Sequence, residues 1–190
     1  MASKTTTASP SRLRRDDRRN QILDAATTAF ARTGFTATGL DDIATEAKVS
    51  RPILYRHFDS KADLYRQALD RVCTRLAEAC GTGDFGDDTL PALVAVATHD
   101  PDGFRLLFQH AAREAEFRDD MDRFRTAMID SALAQLSGQV RSTAWRRWAA
   151  QLSALVAVEA IIAWLDAGQP DPDEIVPNIR RVLDAIPPSR

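Results

Sequence analysis

Arg51, Ile53, Tyr55, Arg56 and His57 are the side chains of this chain best placed to do chemistry, and that chemistry is nucleic-acid recognition. They fall on the outward face of one short helical pattern. An arginine can grip both acceptors of a guanine edge, and an isoleucine can touch a thymine methyl. Ser50 is a good N-cap before this pattern, and Pro52 falls in its first turn, where a missing N–H costs nothing. Leu54 and Phe58 share the opposite face one turn apart. Only Lys48-Val49-Ser50 separates this pattern from an earlier short one, whose Leu40, Ile43, Ala44 and Ala47 line one face. Helices this short cannot stand alone in water. Each must dock on other helices and leave one face outward, as a major-groove reader does.

Other chemistries lack their parts. No Ser/His/Asp set, carboxylate pair or phosphate-cradling glycine loop has a usable setting, and Gly81-Thr82-Gly83 reads as a plain loop. No enzyme activity and no cofactor is therefore expected. Cys73 and Cys80 lie seven residues apart on one expected helix, roughly 10 Å by helical rise, too far for a disulfide. No His or Cys pair completes a metal site, so they read as small core residues.

The elements that must hold this surface are all helical. Hydrophobic residues make up 44% of the 190, enough for a sizeable core, and no stretch alternates like a strand. Residues 1–15 are Ser/Thr-rich and then basic, and are expected to be a flexible tail. Arg12, Arg14, Arg15, Arg18 and Arg19 there could meet phosphates or the minor groove, or stay solvated. A first helix is expected over 17–33, with Ile22, Ala25, Ala26, Ala29 and Phe30 inward and Gly34 ending it. Ser60 and Asp63 form a capping box for a helix running to about Ala79. Further helices are expected over 88–98, 101–110, 114–137 and 142–167, and a last one after Asp171, in which Pro177 should kink it or delay its start. Residues 1–80 carry 14 Lys and Arg against 10 Asp and Glu, while residues 81–190 carry 11 against 17. A basic head on an acidic body suits DNA binding.

Thr38, Ile43-Ala44, Ala47-Lys48-Val49-Ser50, Leu54-Tyr55-Arg56-His57-Phe58 and Lys61 together resemble the tetracycline-repressor (TetR) family of bacterial transcription regulators. The likeness covers about residues 18–70. Lys48 departs from it, standing where the turn usually has glycine, so the turn must avoid positive φ or hold Lys48 there under strain. The resemblance implies a tail over 1–15, a helix-turn-helix head over 16–62 and a ligand-binding and dimerisation body over 63–190, about nine helices in all. It implies DNA contacts from Thr38, Ser50, Arg51, Pro52, Ile53, Tyr55, Arg56, His57 and Lys61, with Thr38, Tyr55, His57 and Lys61 on phosphates.

The expected function is a homodimeric regulator, a repressor that binds a palindromic operator and is released by a small apolar or amphipathic effector. The alternative is a DNA-binding dimer with no ligand, its body serving assembly or a protein partner. Phe104, Phe108, Phe117, Met121, Phe124, Trp145 and Trp148 are the candidate ligand-pocket residues. Leu152–Leu165 is apolar nearly all round, so one side needs a partner. Leu152, Ala157, Ile161, Trp164, Ile179, Val182 and Leu183 are the candidate dimer interface. That 14-residue run is too short to span a bilayer, and residues 1–15 lack the apolar core of a signal peptide, so a cytoplasmic protein is expected, on the nucleoid when bound to DNA.

Overall fold

The structure, a computed structural model, describes residues 10–80, 88–111, 114, 117, 126, 128–130, 133 and 142–186. Among them there are only helices: α1 Pro10–Ala37, α2 Leu40–Glu46, α3 Arg51–Tyr55, α4 Lys61–Cys80, α5 Thr89–His99, α6 Pro101–Arg105, a π-helical segment Leu106–His110, α7 Thr143–Asp166 and α8 Ile175–Asp184. The expected helix over 114–137 lies mostly outside the described residues, and with it Met121 and Phe124. Two compact units divide the chain, Met1–Ala68 and Leu69–Arg190, and α4 runs through the division.

In the first unit, α1 starts earlier than expected. Residues 10–15, expected in the tail, form its opening turns. Proline's fixed φ and missing N–H suit the first helical position, which Pro10 occupies. At the other end Gly34 breaks the helix with φ 78 and ψ 175, as the sequence predicts, and one more turn follows to Ala37. Ile22, Ala26, Ala29 and Phe30 of α1 are buried, together with Ile43, Leu54, Phe58, Leu64 and Tyr65. Phe30 meets Tyr65 edge-on at 4.8 Å between centroids, a favoured aromatic geometry.

The joint between α2 and α3 closes by hydrogen bonds. The Val49 N–H donates to the Ala44 carbonyl at 2.9 Å, and the Lys48 N–H to that of Thr45 at 3.1 Å. These two bonds make a Schellman motif, which needs a left-handed residue at its turn. Lys48 is that residue, with φ 53, so the strained alternative is the one adopted. Ser50 opens α3 through its carbonyl, which accepts from Ile53, while its hydroxyl makes no capping bond. The next cap works in part as expected. The Ser60 hydroxyl accepts from the Asp63 N–H at 3.0 Å, but the Asp63 carboxylate reaches back to the Asp59 N–H.

In the second unit, α5 packs against α6, α7 and α8, and α7 against α8. Asp100 accepts from the Gly103 N–H at 2.9 Å, capping α6, and receives Arg75 of α4 at 2.9 Å. A Cβ on Gly103 would lie 2.5 Å from that carboxylate, so a side chain there would displace it. Arg105 binds Asp166 at 2.9 Å, tying α6 to the end of α7. Gly168, with φ 81, closes α7 by the same Schellman geometry. Pro177 delays α8 and does not kink it. The helix opens at Ile175, which puts Pro177 in the first turn, where its lost N–H has no partner to lose.

By length and composition α7 could cross a membrane, with a mean hydropathy of 1.7 over its most apolar stretch. The apolar run is thus longer than residues 152–165 alone suggest, because Ala144, Trp145, Trp148, Ala149 and Ala150 extend it. Its Ala149, Ala157, Val158, Ile161, Ile162 and Leu165 are nonetheless buried, as in a core helix.

Lys48→Gly should remove the left-handed strain and raise stability by about 0.5–1 kcal/mol, net of glycine's greater unfolded-state freedom. A urea titration reads this as a higher midpoint at unchanged slope.

Candidate nucleic-acid interface

The outward side of α3 is built by what its inward side buries. Leu54 and Phe58 are buried, so Arg51, Tyr55 and Arg56 face solvent, Tyr55 with 49% of its surface exposed, and Ile53 is half-buried. Ser50 and Pro52 are exposed at the start of α3. Arg51 lies 5.9 Å over the Tyr55 ring and 3.4 Å from the Asp41 carboxylate of α2. Hydrogen bonding to Tyr55 first, and the charge of Asp41 second, raise its pKa, so it stays cationic. Both contacts are exposed, so they orient the guanidinium more than they stabilise the fold.

His57 is half-buried, and its Nδ1 is enclosed without a hydrogen-bond partner among the described residues. Burial first, then the guanidiniums of Arg15, Arg19, Arg18 and Arg56, lower its pKa. Lys61 is half-buried at the start of α4. Its ammonium lies 4.6 Å over the Phe35 ring and donates to the Thr36 carbonyl at 3.3 Å. That leaves donors for a phosphate, but in a position fixed by α1.

Thr38 corrects the sequence expectation. It is 3% exposed, its hydroxyl donates to the Gly34 carbonyl at 2.7 Å and pairs with the Thr33 hydroxyl at 2.8 Å. It is a clamp where α1 meets α2 and has no face for a phosphate. The Gly39 N–H just before α2 is taken as well, going to Asp42 at 2.8 Å.

On the other side of α1 a cavity of about 480 Å³ is lined by Asp17, Asn20, Gln21, Asp24, Ala25, Thr28, Glu46 and Ala47. Its carboxylates would repel phosphates. In the second unit, Phe104 and Phe117 are fully buried and Phe108 packs on Phe104 at 4.6 Å. Trp145 and Trp148 do not join them. They stack edge-on at 4.8 Å and remain 49% and 46% exposed on α7. Among the described residues no group of His, Cys, Asp or Glu could hold a metal ion, and Cys73 and Cys80 are free thiols, that of Cys80 shifted up by burial.

Residues 22–68 match the sequence model of a family described as bacterial regulatory proteins, tetR family. Over these residues the chain is similar to that family. It is 39% identical over 107 residues to the HTH-type transcriptional activator FasR of Mycolicibacterium smegmatis, a match covering 52% of this chain and 49% of FasR. It is 41% identical over 51 residues to IcaR of Staphylococcus aureus, the HTH-type negative transcriptional regulator of the biofilm operon icaADBC, a match covering 27% of each. The chain thus spans half or less of the curated relatives it matches. Its fold is that of a TetR-like transcriptional regulator from Rhodococcus sp. RHA1, with a TM-score of 0.74 at 22% identity over 87% of this chain and 93% of that one. Both of these curated relatives are transcriptional regulators.

Thr38→Val should cost about 1–2 kcal/mol of stability, because it strips a buried hydrogen-bonded hydroxyl. It should leave the salt dependence of binding to random-sequence duplex DNA unchanged, measured by fluorescence anisotropy.

Proposed function

We propose that this protein is a dimeric DNA-binding regulator that reads an inverted repeat with α3 of each protomer. The observation that carries the reading is the division of α3: Leu54 buried, Arg51, Tyr55 and Arg56 outward, on a five-residue helix set by a tight turn after α2. Arg51 reads a base, Ile53 touches a methyl, and Ser50, Pro52, Tyr55, Arg56, His57 and Lys61 border the groove. Such a protein works in the cytoplasm, on the nucleoid.

The dimer face differs from the one the sequence suggests. Ala157, Ile161, Trp164 and Ile179 are buried within one protomer and serve its own core. The apolar side chains left outward are Trp145, Trp148 and Leu155 of α7 and Val182 of α8, beside half-buried Leu152 and Leu183. Trp145, Trp148, Leu152 and Leu155 follow a 3-4-3 spacing, the seam of a helix that packs on another helix. A second copy is the partner this stripe fits.

Repression is the simplest output of a head that covers its operator, and IcaR is a negative regulator. FasR is an activator, which favours activation as the second reading. The proposed effector is a small apolar molecule in the body, near Phe104 and Phe108. The π-helical segment Leu106–His110 supports it, because such segments cluster at functional sites. Without an effector, the body would serve assembly alone.

Selection from a random duplex library should return an inverted repeat with half-site centres about one helical turn, or a multiple, apart. Arg51→Ala should relax one position in each half-site by about 1–3 kcal/mol of discrimination. Selection of no consensus by the wild type would overturn the reading. Leu155→Asp should yield monomers by light scattering at micromolar concentration with an intact melting transition, whereas Ile161→Asp should unfold the second unit. A Leu155→Asp dimer would move the interface elsewhere.

A further inference from the structure

Asp41 lies in the first turn of α2, yet its carboxylate does not cap that helix. The Gly39 N–H goes to Asp42, so Asp42 is the acid that closes the start of α2. The Asp41 main-chain carbonyl accepts from the Thr45 hydroxyl at 2.8 Å, a local bond along the helix. The Asp41 side chain instead reaches across the turn, where its Oδ2 lies 3.4 Å from Nη1 of Arg51. Both side chains are exposed, so the pair contributes little to the stability of the head. A carboxylate beside the arginine that α3 offers to the groove also works against attraction of a polyanion. The effect that remains for it is on Arg51 itself.

Arg51 opens α3, and an arginine side chain has many rotamers to sample. Tyr55, one turn on, brings its ring to 5.9 Å from the Arg51 guanidinium. Asp41 meets the same guanidinium from α2. Two helices thus converge on one side chain, one with a ring and one with a charge. A guanidinium has five N–H donors in a planar fork. Guanine takes two of them, at O6 and N7, which leaves donors for the carboxylate while the base is read. A phosphate competes with the base differently. It draws a free guanidinium to the backbone, where contact carries no sequence information. Asp41 opposes that swing, because Arg51 must leave the ion pair to make it. The Val49–Ala44 and Lys48–Thr45 bonds of the turn keep α2 and α3 in the register that brings the two side chains together.

We propose that Asp41 is a positioning residue that confines Arg51 to the base edge, so that sequence discrimination by α3 depends on a carboxylate of α2. This rests on the DNA-binding reading above and adds to it a residue that itself touches no DNA. Asp41 lowers affinity for every duplex through its charge. It lowers affinity for wrong sequences further, because there Arg51 is kept from the backbone contact that would replace the lost base contact.

The full chain is titrated against labelled duplexes carrying the selected repeat, the same repeat altered at the base pair that Arg51→Ala relaxes, or random sequence. Asp41→Ala should lower discrimination between the first two by about tenfold, part of what an arginine–guanine pair supplies. It should tighten binding to the random duplex and steepen the slope of log affinity against log salt by about one, as Arg51 gains a phosphate. Asp41→Glu keeps the charge and should recover most of the discrimination, whereas Asp41→Asn should not. In an Arg51→Ala background, Asp41→Ala should no longer steepen the salt slope. A merely structural role would weaken binding to all the duplexes in proportion and in either background. That pattern, or wild-type discrimination in Asp41→Ala, overturns the proposal. If Asp41→Ala loses helicity by circular dichroism, Asp41→Asn against Asp41→Glu decides by the same comparison. An Arg51→Ala variant that relaxes no position removes the base contact and the proposal with it. A wild type that selects no repeat overturns the DNA-binding reading itself.

Discussion

Leu54 and Phe58 hold α3 in place, and the rest of the head depends on that contact. Five residues make barely more than one turn, and a helix so short has no stability of its own in water. Burying the two side chains is worth roughly 1.5–3 kcal/mol each, enough to order a single turn. That burial decides which side chains face outward, since a helix with Leu54 in the core must turn Arg51, Tyr55 and Arg56 the other way. The core that receives them is made by Ile22, Phe30, Ile43, Leu64 and Tyr65, from three other helices. The Lys48 turn and the Thr38 clamp then set the angle at which α2 delivers α3.

Much of this was legible in the sequence because it is local. Gly34, Gly168, the Ser60–Asp63 pair and the spacing of Leu54 and Phe58 each act within a turn or two. The alternatives left open at Lys48 and Pro177 were the right ones, and the structure selects between them by hydrogen bonding. What the sequence misplaces depends on side rather than on pattern. Helix α7 is apolar on most of its circumference, so spacing alone cannot tell the inward face from the outward one. Ala157, Ile161 and Trp164 proved inward, and Trp145, Trp148 and Leu155 outward. Thr38 was misread because a small hydroxyl serves equally as a phosphate donor or as a buried clamp, and only the distance to the Gly34 carbonyl distinguishes them. The start of α1 was missed because Ser/Thr-rich sequence hides a helix whose first turn is set by a proline.

The head also sorts its charge. One side of α1 carries guanidiniums towards α3, and the other carries carboxylates along a polar cavity with Glu46, itself paired with Arg32 at 2.7 Å. A near-neutral chain can therefore still carry local surfaces of opposite sign.

Asp100 shows how few atoms can join two elements. One carboxylate both caps α6 through the Gly103 amide and anchors Arg75 of α4. Fraying of α6 and release of Arg75 are in consequence a single event, because either loosens the carboxylate that the other needs. The glycine is part of the same joint, since any side chain at that position would push the carboxylate off its seat. The second unit thus has a point at which the chain cannot yield by degrees: the joint is either closed, with helix end and arginine both held, or open, with both set free.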